Sequence, residues 1–373
     1  MNTTSVILLE FDPELNALGK DKELRDGLSA AVQIGDTLWV ANDETISLER
    51  LTLLKGDTGN YEYGTDHEQF SLNKYLHLPS KDREEEADVE GLAYEDGYLW
   101  LVGSHSLKRK NPKRKDRSEK AREKLATVSN EGNRYLLARI PVAQDAQGAG
   151  SYTLDNEARQ NGKKRIVAQL QGDDQGNELT EALKEDEHLR AFLAIPGKDN
   201  GFDIEGLAVA GERIFLGLRG PVLRGWAVIL EVELEEEDNK NPLTLRLKKI
   251  GPNKRLYRKH FLHLGGLGIR DLCAQGPDLL ILAGPSMDLD GPVTMFRWQG
   301  GTKPNEEKVV WNSELDPGKP VPYGKGEDHA EGMTLFSPDD GETRSLLVVY
   351  DSSSERRKPK ESSKLAADVF LLP

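Results

Sequence analysis

One short phrase recurs along this chain, and its recurrence constrains the fold more than any other feature. Residues 88–93 read Asp-Val-Glu-Gly-Leu-Ala, residues 203–208 read Asp-Ile-Glu-Gly-Leu-Ala, and residues 328–333 read Asp-His-Ala-Glu-Gly-Met. Each copy is followed, after a turn, by an apolar run. Weaker copies at 28–31 and 270–273 keep the apolar character and lack the glutamate. Repetition of this kind predicts a repeat architecture.

The copies define units of similar length. If Leu28, Glu90, Glu205, Arg270 and Glu331 are equivalent, neighbouring copies lie about 60 residues apart, except across one interval that carries an insertion. Each unit contains four short segments rich in β-branched and aromatic residues, bounded by Gly, Asp, Asn and Pro, which is typical of strands. Such units form the four-stranded antiparallel blades of a β-propeller. The chain is therefore predicted to be an all-β, five-bladed propeller in one domain, 1–373, with six blades as the alternative.

The two ends of the chain are predicted to complete one blade together. Only one strand, at 367–371, follows the last second-strand run, and a strand at 5–11 precedes the first unit. Their pairing would close the ring and remove a sheet edge.

In the third unit the four predicted strands are 205–209, 213–218, 227–233 and 243–250.

Composition places the protein among soluble chains with polar loops. Of 373 residues, 37% are hydrophobic and 31% are charged, and the net charge is −14. No apolar run is long enough to cross a membrane, and no signal peptide is evident, so a cytoplasmic location is expected. The single cysteine, Cys273, cannot form an internal disulfide and is predicted to be a buried, inert thiol.

Acidic side chains are predicted to gather at one mouth of the central channel. In consecutive antiparallel strands, the start of the first and the end of the second lie at the same sheet edge. The residues placed there are Asn42, Asp43, Asp88, Glu90, His105, Asp203, Glu205, Arg219, Asp271, Asp328, Glu331 and Asp351. Converging carboxylates repel unless a cation or raised pKa values relieve them, and such ligands suit Ca²⁺, or Mg²⁺ and Mn²⁺ with water retained.

A structural interpretation of the same phrase stays open. The glycine would permit close packing of the inner strands, and the glutamate would bond backbone amides of a neighbouring blade. Among the histidines, His105 is a candidate ligand or general acid. Ser104 points to the opposite face of its strand, so the two cannot form a catalytic triad. No histidine or cysteine spacing indicates zinc.

Two insertions are expected to overhang the mouth. The first, 107–128, is a basic loop with ten Lys or Arg against three acidic residues between 108 and 124. It is either a solvated loop or a cationic flap that recruits an anionic substrate. Nucleic acid is disfavoured, because the rest of the chain is acidic and no aromatic residue interleaves the basic run. The second, 173–200, is predicted to contain a helix over 178–194 capped by Asn177.

These motifs resemble a bacterial family, domain of unknown function 3616. The resemblance rests on the phrases at 88–93 and 328–333, on Leu-Trp-Leu-Val-Gly-Ser-His-Ser at 99–106 and on Gly-Ile-Arg-Asp-Leu at 268–272, and covers nearly the whole chain. It implies a β-propeller without an established activity. More distantly, the Glu-Gly strand openings are similar to those of esterase-like phytases and gluconolactonase-type propellers. In the latter a Glu binds a divalent metal together with Asn and Asp from other blades, and that resemblance implies Glu90, Glu205 or Glu331 with Asn42 and Asp43.

Two functions of different classes follow. In the first, Glu90, Glu205, Glu331 and Asp271 hold a divalent cation, and the protein hydrolyses a small anionic ester, lactone or phosphate whose charge is bound by Arg219 and Arg270. In the second, the protein is a non-catalytic propeller that binds a protein or peptide partner, with the basic insertion as its docking arm.

Overall fold

The chain folds almost entirely into strands. A computed structural model of the protein describes residues 5–20, 22–55, 61–64, 66–80, 85–145, 150–160, 162–237, 243–337, 345–360 and 362–372. No helix among these residues is long and apolar enough to span a membrane.

The helices and strands of the described residues are numbered in chain order. In the first half they are β1 (Ser5–Glu10), α1 (Pro13–Asn16), β2 (Ala17–Gly19), β3 (Lys22–Glu23), β4 (Leu28–Ile34), β5 (Thr37–Asn42), β6 (Ser47–Lys55), β7 (Tyr61–Tyr63), β8 (Glu68–Ser71), β9 (Val89–Glu95), β10 (Tyr98–Gly103), β11 (Lys108–Arg109), α2 (Ser118–Ala126), β12 (Val128–Ser129), β13 (Leu137–Gln144), β14 (Tyr152–Leu154), β15 (Glu157–Gln160), β16 (Lys163–Ile166), β17 (Ala168–Leu170), β18 (Gly172–Asp173), β19 (Gly176–Asn177) and α3 (Glu178–Leu183). In the second half they are β20 (Asp203–Ala210), β21 (Arg213–Gly220), β22 (Trp226–Glu236), β23 (Thr244–Leu247), β24 (Arg258–His263), β25 (Gly268–Gln275), β26 (Asp278–Gly284), β27 (Val293–Trp298), β28 (Val309–Val310), β29 (Asp316–Val321), β30 (His329–Phe336), β31 (Ser345–Asp351) and β32 (Lys364–Leu371).

The long strands form antiparallel groups that share one plan. Each group starts with an inner strand, β4, β9, β20, β25 or β30, which pairs with the next strand, β5, β10, β21, β26 or β31. The inner strands contact one another in the cyclic order β4, β9, β20, β25, β30 and back to β4. The apolar core accordingly lies in separate clusters, each containing residues from neighbouring groups. The fold is all-β and propeller-like.

The predicted pairing of the chain ends is confirmed. β1 runs antiparallel to β32, with Ser5 opposite Val369 and Glu10 opposite Lys364. This pairing fills the outer edge of the group that begins with β30. Neighbouring groups are also joined by short parallel pairings of β1 with β7, β17 with β23, and β24 with β28.

The predicted outer strand of the third unit, 243–250, was wrong in part. β22 is long, and its two halves have different partners. β24 pairs with Trp226–Glu231, whereas β23 pairs only with Leu234–Glu236 and then continues in parallel with β17 of the preceding group. The main outer strand of this unit is therefore β24.

Each inner strand contains a β-bulge near its start. The register with the second strand skips one residue in every group, and the skipped residues are Ser29, Glu90, Glu205, Arg270 and Glu331. A bulge re-aims a side chain and interrupts the ladder locally. The first unit is equivalent to the others at Ser29, so the alignment on Leu28 was wrong by one residue.

The glycine of the phrase serves the close packing of inner strands. A Cβ on Gly91 would lie 2.6 Å from Leu207 Cβ, and one on Gly206 would lie 2.8 Å from Leu272 Cγ. On Gly332 it would lie 2.9 Å from Ala30 Cα. These distances leave no room for a side chain. The prediction that the glycine permits close packing of the inner strands is therefore confirmed.

The two insertions differ from the predictions in opposite ways. The first contains more regular structure than a loop, and the second contains a shorter helix than expected. Residues 107–129, called the arch from here on, contain the paired strands β11 and β12 and helix α2, so the segment is not only a loop. In the second insertion, Asn177 caps α3 as predicted, accepting from the amides of Leu179 and Thr180 at 3.0 and 3.1 Å. α3 ends at Leu183, well short of 194, because Asp186 accepts from the amides of His188 and Leu189 and starts a new turn.

Candidate functional site

Three of the bulged residues, Glu90, Glu205 and Glu331, line a cavity at one end of the ring. The cavity has a volume of about 470 Å³. Its walls include the acidic residues Asp43, Asp88, Glu90, Asp203, Glu205, Glu331 and Asp351, together with Arg134, Lys198, Arg219 and basic residues of the arch. This space is called the mouth below.

Three carboxylates converge on one side of the mouth. Asp43, at the end of β5, and Asp88 and Glu90, at the start of β9, offer oxygen atoms that all lie within 4.8 Å of one another. Glu90 is 9% exposed. Among the described residues, neither Glu90 nor Asp43 has a side-chain hydrogen bond or ion pair. Only Asp88 contacts a cation, Arg134 Nη1 at 2.7 Å from its Oδ2.

Arg134 neutralises Asp88 only in part. Its guanidinium also lies 2.9 Å from Glu131 and 2.9 Å from Glu86, so Arg134 and Lys108, which pairs with the same two glutamates, serve three carboxylates between them. The cluster of Asp43, Asp88 and Glu90 therefore keeps an excess of negative charge.

The other side of the mouth carries its own cations. Arg219 forms ion pairs with Asp203 and, at 2.6 Å, with Glu205. Arg270 lies 3.0 Å from the second oxygen of Glu205 and also pairs with Glu331. All of these side chains are largely buried. Arginine thus occupies the place between Glu205 and Glu331 where a metal ion would otherwise be needed.

The pKa values reflect this asymmetry. Burial, together with the charges of Asp88 and Asp351, raises the pKa of Asp43 to about 8. Burial and the neighbouring Asp88 and Glu205 raise the pKa of Glu90 well above its ordinary value. Burial also raises the pKa of Glu205, but there Arg219 and Arg270 oppose it. Among the described residues of the mouth, Glu90 and Asp43 form no ion pair that would compensate their burial, and the charge of Lys198 offsets the raised pKa of Asp43 only in part.

Comparison with known proteins identifies the family. A family described as Protein of unknown function (DUF3616) matches residues 27–368. The chain belongs to this family. None of the curated proteins compared with the chain matches it.

Several solved structures are similar in outline to this member of the family. A glutaminyl cyclase of Myxococcus xanthus is 9% identical, with a TM-score of 0.36 over 94% of this chain and 93% of that one. A GH43 protein of Bacillus licheniformis is 11% identical, with a TM-score of 0.36 over 94% and 53%. A putative 6-phosphogluconolactonase of Bacteroides fragilis NCTC 9343 is 12% identical, with a TM-score of 0.30 over 87% and 64%. Such low TM-scores support no inference about activity.

Four of the predicted metal ligands lie outside the cluster. Glu205 and Glu331 are paired with arginine, and Asp271 and Asn42 bind backbone groups. Asp271 accepts from the backbone amides of Leu272 and Met333, both at 2.7 Å, and so ties β25 to β30. It is an aspartate, and not the recurring glutamate, that bonds a neighbouring group's backbone. Asn42 donates to Leu24 O and accepts from the amide of Glu44, both at 2.8 Å. Both side chains are buried and occupied by backbone partners.

His105 is buried away from the walls of the mouth. Its Nδ1 lies 2.7 Å from Gly103 O, and its Nε2 accepts from Asn177 Nδ2 at 2.7 Å. Burial lowers the pKa of His105 to about 4, so the ring is neutral at pH 7. The side chain fixes the capping residue of α3 to β10, and no general acid role follows from this position.

His329 is the histidine that reaches the cavity system. Its Nε2 lies 3.3 Å from Asp290 Oδ1, and its Nδ1 lies 3.9 Å from Asp351 Oδ2. The carboxylate of Asp351, and then that of Asp290, raise the pKa of His329 above its ordinary value. The phrase at 328–333 contains this residue, but the sequence pattern favoured His105 as the candidate ligand or general acid.

The arch and the second insertion, 173–200, meet over the mouth. Lys108 pairs with Glu86, and Arg109 lies 2.7 Å from Asp199 of the second insertion. Next to Asp199, Lys198 is exposed, lines the mouth and has no ion pair with any described residue. Lys198 and Arg134 were missed at the sequence level, because nothing in the linear order of residues 134 and 198 places them beside residue 88.

The cysteine lies at the opposite end of the channel. Cys273 lines a separate cavity of about 950 Å³ there and is partly exposed, not fully buried as expected. Loss of hydration raises the pKa of its thiol to about 12, so the thiol stays protonated at neutral pH.

Proposed function

We propose that the protein is a five-bladed propeller that binds one divalent cation at Asp43, Asp88 and Glu90, and that it hydrolyses a small anionic ester, lactone or phosphate at the mouth. One observation carries the proposal. Glu90 is a largely buried carboxylate without a hydrogen-bond or ion-pair partner among the described residues, and it faces two further carboxylates. An uncompensated cluster of this kind is costly unless a cation balances it.

The chemistry of the donors fits a hard cation. Carboxylate oxygens are the ligands that Ca²⁺ prefers, and Ca²⁺ takes roughly 6–8 oxygen ligands. Three carboxylates would supply part of this shell and leave positions for water or substrate. Mg²⁺ and Mn²⁺, which retain water, are the alternatives. We favour Ca²⁺ and, as part of the same proposal, a cytoplasmic protein.

A bound cation would polarise the scissile carbonyl or phosphoryl group and lower the pKa of a water molecule. The chain's own residues would do the rest. Arg219 and Arg270 hold Glu205 and Glu331 in place, and their charges are already balanced by carboxylates. The free ammonium of Lys198 is the better candidate for binding the substrate's negative charge, and His329 the better candidate for a proton donor than His105.

The binding-module function is favoured by a different observation. Away from the mouth, the arch carries Lys113, Arg114, Lys115, Arg117, Lys120 and Arg122, which are exposed and have no ion pair with a described residue. Such a surface suits an acidic protein or peptide partner. Replacing 110–126 by a short Gly-Ser linker separates the two functions. A lost partner with unchanged hydrolysis indicates docking by the arch, whereas a raised KM for a small anion indicates substrate recruitment.

The enzyme proposal is tested by a hydrolysis screen. Aryl esters, lactones and aryl phosphates are offered with millimolar Ca²⁺ to the native chain, to Glu90→Gln and to Glu95→Gln, a control on the same strand at the opposite end of the channel. We expect turnover that Glu90→Gln and chelation both abolish and that Glu95→Gln retains. Turnover that survives chelation would contradict the cation's role, and no turnover of any class would move the binding module to first place.

A further inference from the structure

A second cavity continues from the mouth between the starts of β27 and β30. It has a volume of about 280 Å³ and is called the side lobe here. It shares Lys198, Arg219, Glu331 and Asp351 with the walls of the mouth, so a ligand could extend from one space into the other. Neither the cation cluster nor the arch explains this lobe.

One part of the side lobe's wall consists of apolar side chains that are unusually exposed, and most of the rest is polar. Met287 is 43% exposed, Leu289 61% and Tyr323 50%. They come from two separate loops and meet at the same small cavity. Single exposed apolar residues need no explanation, but several that converge on a concave space beside a polar site are typical of ligand pockets.

The loop that carries two of them is held in place by backbone bonds. Met287 forms an antiparallel bridge with Asp199 of the second insertion, and the Leu289 amide donates to Met287 O at 2.8 Å. Asp199 in turn pairs with Arg109 of the arch. The apolar wall is thus tied to the segment that presents Lys198, which keeps an apolar surface and a free cation side by side.

We infer that the side lobe is a subsite for an apolar group, and that the ligand of the mouth is an amphipathic anion: a charged head carrying an aryl or short alkyl substituent. The head would lie at the junction of the two cavities near Lys198, and the substituent against Leu289 and Tyr323. This inference rests on the proposed function for the position of the head. A lobe of this volume accommodates a phenyl group.

Binding of two phosphonates tests the inference without turnover. Methylphosphonate and phenylphosphonate carry the same head and cannot be hydrolysed as esters. Burial of a phenyl ring predicts that phenylphosphonate binds roughly 10-fold more tightly or better. Dissociation constants are measured by calorimetry, with Ca²⁺ present, for the native chain, Leu289→Ser and Leu243→Ser. Leu243 is 51% exposed and lies outside both cavities, so it is a matched control.

In Leu289→Ser, we expect the ratio of the methylphosphonate to the phenylphosphonate dissociation constant to fall below about threefold, with methylphosphonate affinity unchanged. In Leu243→Ser, the ratio should equal that of the native chain. Equal affinities in the native chain, or a ratio that survives both Leu289→Ser and Tyr323→Ser, overturn the inference, and so does the absence of binding by both phosphonates. If the ratio of dissociation constants is as expected but phosphonate binding depends neither on Ca²⁺ nor on Glu90, the proposed cation site is contradicted. The side lobe then remains an apolar subsite.

Discussion

At the scale of single residues, the mouth contains two kinds of glutamate from one repeated phrase. Glu205 is held by two guanidinium groups, whereas Glu90 has no partner among the described residues. The same substitution should therefore act in opposite directions at the two positions.

Replacing Glu205 by Gln removes a buried negative charge that two arginines share. Breaking a buried ion pair from one side costs roughly 3–5 kcal/mol, so Glu205→Gln should lower the free energy of unfolding by about that amount. Without added cation, Glu90→Gln should leave it unchanged or raise it, because it removes repulsion with Asp88. Urea denaturation in chelator measures both. Equal destabilisation by the two substitutions would contradict the division of the mouth into two sides.

The pH dependence of the cation-free protein follows from Asp43. Its folded-state pKa is raised to about 8, against an ordinary value of 3.8. Between these values the folded state binds more protons than the unfolded state, so stability is greatest near the lower pH and falls as pH rises toward 8. Asp43→Asn should flatten this decline by at least about 1 kcal/mol. Denaturation in chelator at pH 5 and pH 8 checks it, and an identical decline in both chains would refute the assignment.

At the scale of elements, the inner strand carries two separable functions. The bulge directs a side chain to the mouth, and the following glycine lets the strands pack. Gly206→Ala should cost roughly 1–3 kcal/mol, because its Cβ would meet Leu272 and the backbone of Asp271. Thermal unfolding measures the loss. Ca²⁺ affinity should not change in Gly206→Ala, and a change would mean that the packing and cation roles cannot be separated.

Elements that repeat could be predicted from the sequence, and elements that occur once could not. The phrase at 88–93 and its copies located the inner strands, the mouth and most of its acidic residues. The sequence did not reveal which glutamate would meet an arginine. That depends on Arg270 taking the bulge position in one group and on Arg219 ending the second strand of another. The role of Asp271 was missed for a similar reason, since backbone partners across a ring have no linear signature.

At the scale of the whole molecule, the closure by β1 holds both ends of the chain. Ile7 and Leu9 are buried against the neighbouring sheets, and the pairing with β32 covers an edge. Deleting residues 1–10 should lower the free energy of unfolding by several kcal/mol, because two buried side chains are lost. It should also promote association of chains through the uncovered strand edge. Calorimetry and light scattering measure both effects, with deletion of residues 1–4 as the control. An unchanged melting temperature and a monodisperse chain would contradict the closure.

The proposed function requires a cation at Asp43, Asp88 and Glu90. The most direct test is a calorimetric titration of chelator-treated protein with Ca²⁺, in parallel with Glu90→Gln and Glu331→Gln. We predict one ion per chain, binding that Glu90→Gln abolishes, and binding that Glu331→Gln leaves within about tenfold because arginine already serves that side of the mouth. No binding of Ca²⁺, Mg²⁺ or Mn²⁺ by the native chain, or equal loss in both variants, would contradict it.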